Sequence, residues 1–370
     1  MTLELFSIVE KINEDLQNLD CVDPMQIMNS KIDQQDQAVR KLIENFLLKT
    51  DSRESITRIL DEYFGFGPLK NLFEDESVSE IMINGQNHIF FERSGKIQKL
   101  KDCFLSPLTF RHFVERLGKL SNTQVSIDIP FVDGYFEDFR VHIAIPPATQ
   151  KEVAVTIRRH PKCPWTLKLL EEKLWAPQAS IELIRKIISE RRNFLVIGPT
   201  GSGKTSVLNA CLGELPMNER AILIEDTSEL KIPNEISAKL ITRYDPQKRL
   251  KDFDQSDLLK QALRMRPDRL ILGEIRGGEA KDLLMAFATG HSGCMGTMHA
   301  ETARQALLRL EMLIQLGASQ WNIQAVRTLI LLSLSVVIVV KRTHEGERRL
   351  DGIFQVTSLE ETGFLLEQLI

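Results

Sequence analysis

The stretch "FLVIGPTGSGKT" (194–205) constrains the fold of this chain more than any other. Four apolar residues in a row read as a buried strand, and "SVLNACL" directly afterwards reads as a helix. Between them "GPTGSGKT" (198–205) satisfies G-x-x-x-x-G-K-[ST]. A strand, a glycine-rich turn and a helix in this order let backbone N–H groups turn inward toward phosphate oxygens, with the positive end of the helix behind them. The residues of such a cradle are Gly198, Thr200, Gly201, Ser202, Gly203, Lys204, Thr205 and Ser206. Lys204 is placed to reach the β- and γ-phosphates of a nucleoside triphosphate, and Thr205 to hold Mg²⁺.

The sequence around this cradle alternates strands and helices. "NFLVIG", "AILIED", "RLILGE", "CMGTMHA" and "VVIVVKR" are apolar strand candidates with helical stretches between them. That alternation predicts a mostly parallel sheet covered on both faces. Parallel strands deliver ligands to their carboxyl ends. "AILIEDT" ends in Glu225-Asp226 and "RLILGE" ends in Glu274, so topology brings both acids to the edge that carries the cradle. Hydrolysis of a triphosphate needs a group that organises metal and one that positions water. Gly273 stands where a second acid commonly would, which leaves Glu274 as the metal-side acid on its strand.

"TGHSGCMGTMHAET" (289–302) follows, with His291 and His299. Three readings are open: a two-histidine metal site, structural histidines, or a γ-phosphate sensor or inter-subunit relay. No cysteine or carboxylate has a spacing suited to complete a metal site with them.

Upstream the period changes. A chain of 370 residues suggests two domains with an appendage. Residues 1–60 read as a helical appendage, with Leu42, Ile43, Phe46 and Leu47 on one helix face and Ile56, Ile59, Leu60 and Phe64 repeating the pattern until "GFGPL" stops it. Residues 61–160 read as an α+β domain. "VSEIMIN" (78–84) and "HIFFERSGKI" (88–97) alternate as strands, "LTFRHFVERLGKLSN" is an amphipathic helix, and "FRVHIAIPP" and "VAVTIRRHP" are two further strands. Pro161 and Pro164 open a linker, taken as 161–176, ahead of the ATPase-type domain at 177–370.

The net charge of −4 and the 6% aromatic content speak against a general nucleic-acid binder. Five scattered cysteines, Cys21, Cys103, Cys163, Cys211 and Cys294, contain no CxxC pair, which fits a reducing compartment better than a disulfide framework. The apolar run "LILLSLSVVIVV" (329–340) is too short to span a bilayer and reads as a helix end entering a buried strand. The expected location is cytoplasmic.

"GPTGSGKT", "LIEDTSEL", "ALRMRPDRLILGEIRGGEA" and "TGHSGCMGTMHA" occur in the order of the Walker A, Asp, Walker B and His boxes of the type II/type IV secretion ATPases, which this chain resembles. "GFGPLKNLFEDESVSEIMING" and "FRVHIAIPP…VAVTIRRHP" are similar to the N-terminal domain of the CpaF-type subgroup, the tight-adherence (Tad) pilus motors. The resemblance covers about residues 60–370. It implies a homohexameric ring of RecA-like P-loop ATPase domains, each preceded by a PAS-like domain, at the cytoplasmic face of the inner membrane. It further implies ATP and Mg²⁺ as ligands and integral inner-membrane platform proteins as partners, with no nucleic acid. By match, Glu225 and Glu274 are the catalytic carboxylates, with Glu274 and Thr205 on the metal; His291 and His299 are the His-box pair. Arg140 and Arg158 match N-terminal-domain arginines that approach the γ-phosphate, and Arg159 is expected on the opposite face of the same strand. Apart from Lys204, no cation of the ATPase domain itself is expected beside the transferred phosphoryl group. The chain departs from the subgroup at "NTQVSIDIPFVDGYFEDFR", where Gln124, Ser126, Gly134 and Tyr135 thin the arginine set. It has no tetracysteine zinc module.

Two other functions use the same core. A hexameric nucleic-acid translocase needs basic, aromatic-rich loops, and ATPase rates with and without single-stranded DNA separate it. A nucleotide-gated switch that barely hydrolyses is opposed by intact Glu225 and Glu274.

Overall fold

In a computed structural model, the structure describes residues 2–19, 53–121, 123–159, 165–244, 250–288, 290–343, 345–360 and 363–370. The expected helix face of Leu42, Ile43, Phe46 and Leu47 and the prolines Pro161 and Pro164 lie outside them. The chain divides into two compact units, Met1–Pro161 and Lys162–Ile370.

The first unit is a sheet with helices on one side. Its strands are β1 (Val78–Asn84), β2 (Ile89–Arg93), β3 (Lys96–Lys99), β4 (Phe131–Phe136), β5 (Phe139–Ala144) and β6 (Ala154–Arg159). They pair antiparallel in the order β3-β2-β1-β6-β5-β4. Residues 88–97, expected as one strand, are two, because Ser94 and Gly95 both take positive φ and turn the chain back on itself. Alternate residues Ile81 and Ile83, Val141 and Ile143, and Val155 and Ile157 point to one face and meet Phe110, Phe113 and Leu117 of the helix Pro107–Leu120. Ser106 caps that helix in a reciprocal pair with Thr109. The helices Thr2–Leu19 and Arg53–Phe64 form their own small core from Leu5, Val9, Ile12, Ile59 and Tyr63. A fully buried Glu62, paired with Arg58 on its own helix, ties them to the sheet domain through the Leu105 N–H and the Thr109 hydroxyl.

The second unit holds β7 (Phe194–Gly198), β8 (Ala221–Glu225), β9 (Ala238–Ile241), β10 (Arg269–Ile275), β11 (Met295–His299), β12 (Val336–Arg342), β13 (Arg348–Glu360) and β14 (Gly363–Gln368). Their order is β14-β13-β12-β7-β11-β10-β8-β9; the pairs from β12 to β9 are parallel and the pairs that include β13 or β14 are antiparallel. The central strands are buried on both faces. Leu195 and Ile197 join one core with helices Gln255–Ala262, Glu279–Ala288, Ala303–Gly317 and Ile323–Ser333, while Phe194 and Val196 join the other with helices Gln178–Ser189 and Lys204–Leu212. Such two-sided burial turns the strands into continuous apolar runs, which is what made them visible in the sequence. Strands β9, β13 and β14 are half-exposed and mixed in composition, so no run announced them.

Residues 165–176, placed in the expected linker, carry a helix, Leu167–Glu172. Leu167, Leu170, Trp175 and Ala176 are buried in the core of the second unit, because their apolar surface is more stable against Ile181 and Ile184 than in water. Among the described residues no helix is long and apolar enough to cross a membrane.

Candidate functional site

The phosphate cradle is built as its sequence requires. β7 ends at Gly198, the chain turns through Gly201 and Gly203, and the helix Lys204–Leu212 starts at once. Both turn glycines have positive φ, +73° and +91°, a region that side chains with a Cβ enter at a cost. The Ser202 hydroxyl is buried and donates to Pro199 O at 2.8 Å, closing the turn. Thr205 and Ser206, in the first helical turn, are half-buried.

Lys204 is only 7% exposed, and its ammonium donates to Gly198 O at 3.1 Å and Pro199 O at 3.0 Å. The third contact crosses to the neighbouring strand. Strand β11 pairs with β7 so that His299 stands opposite Gly198, and Lys204 Nζ lies 3.2 Å from His299 Nδ1. His299 Nε2 in turn lies 3.1 Å from Glu274 Oε1. An ammonium only donates, so Nδ1 must accept and Nε2 must carry the ring proton. Burial and then the Lys204 charge hold His299 below the ordinary histidine value, against the pull of Glu274; the ring is neutral at pH 7. Glu274 Oε2 accepts from Arg276 at 2.7 Å. Burial alone pushes the Glu274 carboxyl up, but the Arg276 hydrogen bond and the charges of Arg276 and Lys204 hold it below the usual range.

Glu274 reaches this position through a bulge. β10 advances from Leu272 to Ile275 while its partner β11 advances only from Gly296 to Met298, so Gly273-Glu274 carries one extra residue. A bulge breaks the strict alternation of side chains and re-aims one of them. Thr297 Oγ1 holds the bulge by donating to Gly273 O at 2.5 Å. A Cβ on residue 273 would lie 2.9 Å from Glu225 Cγ, which is why a glycine precedes the acid.

Glu225 occupies the strand end expected of it, but its carboxylate is committed elsewhere. It is 2% exposed, and Oε1 accepts the N–H groups of Glu229 and Leu230 at 3.0 and 2.9 Å. Oε2 lies 3.2 Å from Lys239 Nζ. Burial pushes its pKa up, opposed by Lys239 and these two N–H groups. Glu225 thus braces the turn after β8, so the two expected carboxylates differ in surroundings: Glu274 is joined to Lys204 through His299, whereas Glu225 is held by two backbone N–H groups and Lys239. Arg276 Nη1 lies 3.7 Å from Asp226 Oδ2 and links the two strand ends.

The two histidines are not together. His291 precedes β11, beside Asn193 at the amino end of β7; its Nδ1 is 3.1 Å from Ala286 O, and its own carbonyl accepts from Asn193 at 3.5 Å. His299 ends the same strand. Five residues at about 3.3 Å each separate the two edges of the sheet, so within one chain the pair cannot share an ion or a phosphate. Of the two expected roles, γ-phosphate sensor or inter-subunit relay, the first therefore fits His299 and not His291 within one chain; the His291 segment clasps the amino edge, where Asn193 also donates to Ser333 O and accepts from Cys294 N. Among the described residues no group of three or more His, Cys, Asp or Glu is arranged to hold a metal ion.

Arg140 and Arg158 are direct cross-strand partners on the face of the first unit's sheet that points away from its core. Arg140 lies 3.4 Å from Asp133, and Arg158 is the register partner of Glu80. Arg159 points the other way, as alternation demands. It donates to the carbonyls of Val78, Leu72, Phe73 and Asp75 and lies over the Phe139 ring.

Three arginines at the cradle escaped the sequence reading. Arg276 follows Glu274 by two residues and shares its strand-end side. Arg342 and Arg348 come from the hairpin of β12 and β13: Arg348 Nε donates to Gly201 O at 3.0 Å, and Arg342 Nη1 lies 3.5 Å from where a Cβ on Gly201 would stand. Lys204 is therefore not the only cation that this unit places beside the cradle. The sequence marked "VVIVVKR" as a buried strand; that it runs parallel beside β7, which puts its carboxyl end at the phosphate edge, is decided by the sheet order.

Residues 62–347 match the family described as Type II/IV secretion system protein. The probable conjugal transfer protein TrbB of Sinorhizobium fredii is 31% identical over 311 residues, which cover 82% of this chain and 91% of TrbB. The type IV secretion system protein PtlH of Bordetella pertussis is 34% identical over 235 residues, covering 57% of this chain and 69% of PtlH. Among solved structures, the ATPase DotB of Legionella pneumophila aligns with a TM-score of 0.56 at 22% identity, over 74% of this chain and 75% of that one. The pilus retraction motor PilT with bound ADP aligns with a TM-score of 0.53 at 22% identity, over 82% of this chain and 81% of that one. These two share the fold. With a phosphate cradle, acidic strand ends and a histidine strand in one sheet, and a match that spans most of its length, this chain belongs to the type II/IV secretion system protein family.

Proposed function

We propose that this chain is an ATPase that drives a secretion or pilus machine. The observation that carries the reading is the connected set Lys204–His299–Glu274 at the carboxyl edge of a parallel sheet, directly beside a phosphate cradle. Hydrolysis forms a bond from a water oxygen to the γ-phosphorus and breaks the bond from that phosphorus to the β-bridging oxygen, releasing ADP and phosphate. Lys204 neutralises charge on the transferred oxygens. A phosphate oxygen that takes an N–H of Lys204 must displace one of its acceptors. Two of these are backbone carbonyls of the cradle, so His299, a strand-end side chain, is the one that turns away. His299 thus reports the γ-phosphate to Glu274 and Arg276.

Thr205 and Glu274 offer a hydroxyl and a carboxylate oxygen, the hard donors that Mg²⁺ takes. When bound, Mg²⁺ polarises the phosphoryl oxygens. Glu274 holds the metal side, and Glu225 keeps the turn 226–230 in place. Arg140 and Arg158 supply further positive charge to the reaction, as their match to the family's N-terminal arginines suggests. The working assembly is a homohexameric ring at the cytoplasmic face of the inner membrane, where it moves integral platform proteins. Motif order and the N-terminal residues support the tight-adherence pilus subgroup.

The test is Mg²⁺-dependent release of phosphate from ATP by the purified full chain, with its mass measured in solution. Turnover that Lys204→Ala leaves intact, or a chain that stays monomeric at every concentration while fully active, overturns the reading.

A further inference from the structure

Arg276 stands between two carboxylates at the ends of neighbouring parallel strands. Asp226 directly follows β8, Glu274 lies near the end of β10, and Arg276 directly follows β10. Its Nη2 donates to Glu274 Oε2 at 2.7 Å, and its Nη1 lies 3.7 Å from Asp226 Oδ2. The main chain on both sides is anchored. Glu279 Oε1 accepts the N–H groups of Arg276 and Gly277 at 2.5 and 2.7 Å, which ties the end of β10 to the helix Glu279–Ala288. Thr242 Oγ1 donates to Asp226 Oδ1 at 3.2 Å. The turn after Asp226 is clasped by Asn209 of the cradle helix, whose Nδ2 donates to Glu229 O at 3.2 Å and whose Oδ1 accepts from Lys231 N at 2.8 Å.

The guanidinium is the movable part of this arrangement. The Arg276 side chain is 54% exposed, on a long flexible stem, whereas Glu274 is 22% exposed. A planar fork with several donors changes partner by a small rotation when a second acceptor stands close by. Glu274, for its part, has both oxygens engaged: Oε1 faces His299 Nε2 at 3.1 Å and Oε2 takes Arg276. The metal-side role proposed for Glu274 asks for one of these oxygens. His299 is neutral and offers only a hydrogen bond. Arg276 carries a full positive charge, and two cations at one carboxylate repel each other. The charge of Glu229 also reaches Arg276, but Asp226 is the acid already within 4 Å of it.

We propose that Arg276 is a positioning residue that exchanges with Mg²⁺ at Glu274: without metal it covers Oε2 and keeps the carboxylate aimed, and with metal it passes to Asp226. This rests on the ATPase reading and adds to it the means by which Glu274 is held ready and then released. Asp226 acts in this scheme by receiving the guanidinium and has no contact with the metal.

The test is the Mg²⁺ requirement for nucleotide binding, read on the full chain as the fluorescence of a labelled, non-hydrolysable ATP analogue over a Mg²⁺ titration. Arg276→Gln removes the competitor, so the half-saturating Mg²⁺ concentration is expected to fall about fivefold, the upper range for a half-exposed ion pair. Asp226→Asn removes the receiving anion and is expected to raise it about twofold to fivefold. The double variant separates exchange from simple addition of charges. If Asp226 acts by receiving Arg276, the double variant has the Mg²⁺ requirement of Arg276→Gln alone. Arg276→Lys keeps the charge and is expected to restore most of the parental requirement. Circular dichroism and the melting temperature establish that each variant is folded. A merely supporting arginine, once removed, does not tighten the metal. A folded Arg276→Gln chain with an unchanged or higher Mg²⁺ requirement therefore overturns the proposal. So does an Asp226→Asn chain that behaves as the parent, or a double variant in which the two effects add. Lys204→Ala distinguishes this failure from that of the reading beneath it. If Lys204→Ala loses the analogue at every Mg²⁺ concentration while Arg276→Gln behaves as the parent, the ATPase reading stands and the exchange alone fails. If Lys204→Ala binds the analogue as the parent does, the ATPase reading has failed, and this inference with it.

Discussion

His299 stands in register with Gly198 across β11 and β7, so a histidine far along the sequence abuts the first residue of the phosphate cradle. Its two ring nitrogens join Lys204 to Glu274.

Lys204→Ala removes the ammonium shared by Gly198 O, Pro199 O and His299. Turnover should fall by at least about 100-fold, since one preorganised donor at the reacting group is worth that much. The loop lies at the edge of the sheet, so the melting temperature should change little. Phosphate release and thermal melting on the same preparation check both halves.

Glu274→Gln and Glu225→Gln should separate. Glu274 belongs to the Lys204–His299 set, and its amide should bind ATP yet hydrolyse it about 10²–10⁴-fold more slowly at an unchanged melting temperature. Glu225 braces Glu229, Leu230 and Lys239. Its amide should cost about 1–3 kcal/mol of stability and less activity than the Glu274 change. A Glu225→Gln chain of full stability with a hydrolysis defect as deep as that of Glu274→Gln would put Glu225 in the chemistry.

Activity should hold to a pH below the ordinary histidine value of about 6.5. Burial and Lys204 depress the His299 pKa in the folded chain. The acceptor at Nδ1 is therefore intact above about pH 6.5 and is lost as pH falls through the lower folded value. The acid limb of kcat/KM should lie under 6.5 and disappear in His299→Gln, which should also be slow. His291→Ala, at the other edge of the sheet, should leave that limb in place. A limb that moves with His291 and not with His299 would reverse the assignment.

Gly273→Ala places a Cβ 2.9 Å from Glu225 Cγ beneath the bulge. Either the brace or the bulge must shift, at a cost of about 1–3 kcal/mol typical of an overpacked interior. Because the bulge aims Glu274, turnover should fall together with the melting temperature. Unchanged melting and turnover would show that the bulge tolerates a side chain there.

Arg140→Ala and Arg158→Ala should slow hydrolysis, by up to about 10³-fold if they act on the transferred group, with little change in melting. Arg159→Ala should do the reverse, because it holds four carbonyls of the segment from Leu72 to Val78. Melting curves and turnover of the three variants, side by side, distinguish a reacting arginine from a supporting one.

The sequence alone determined whatever follows from local rules. A run buried on both faces, "FLVI" or "VVIVV", can only be a central strand, and a glycine turn before Lys204 can only be a phosphate cradle in that setting. Strand direction then placed Glu225, Glu274 and His299 at one edge, because parallel strands share their carboxyl ends. Contacts between distant segments decided the remainder. His291 and His299 lie eight residues apart in sequence and read as a pair there, yet a strand lies between them and carries them to opposite edges. Glu225 and Glu274 look equivalent as strand ends. They differ because one carboxylate meets two N–H groups and Lys239 in the interior while a bulge held by Thr297 turns the other toward the cradle. Arg342 and Arg348 reach the cradle only because β12 lies beside β7 and its hairpin returns over the loop. Local pattern sets which elements form; which side chains meet depends on sheet order and register, and these are settled by packing between segments that are far apart in the chain.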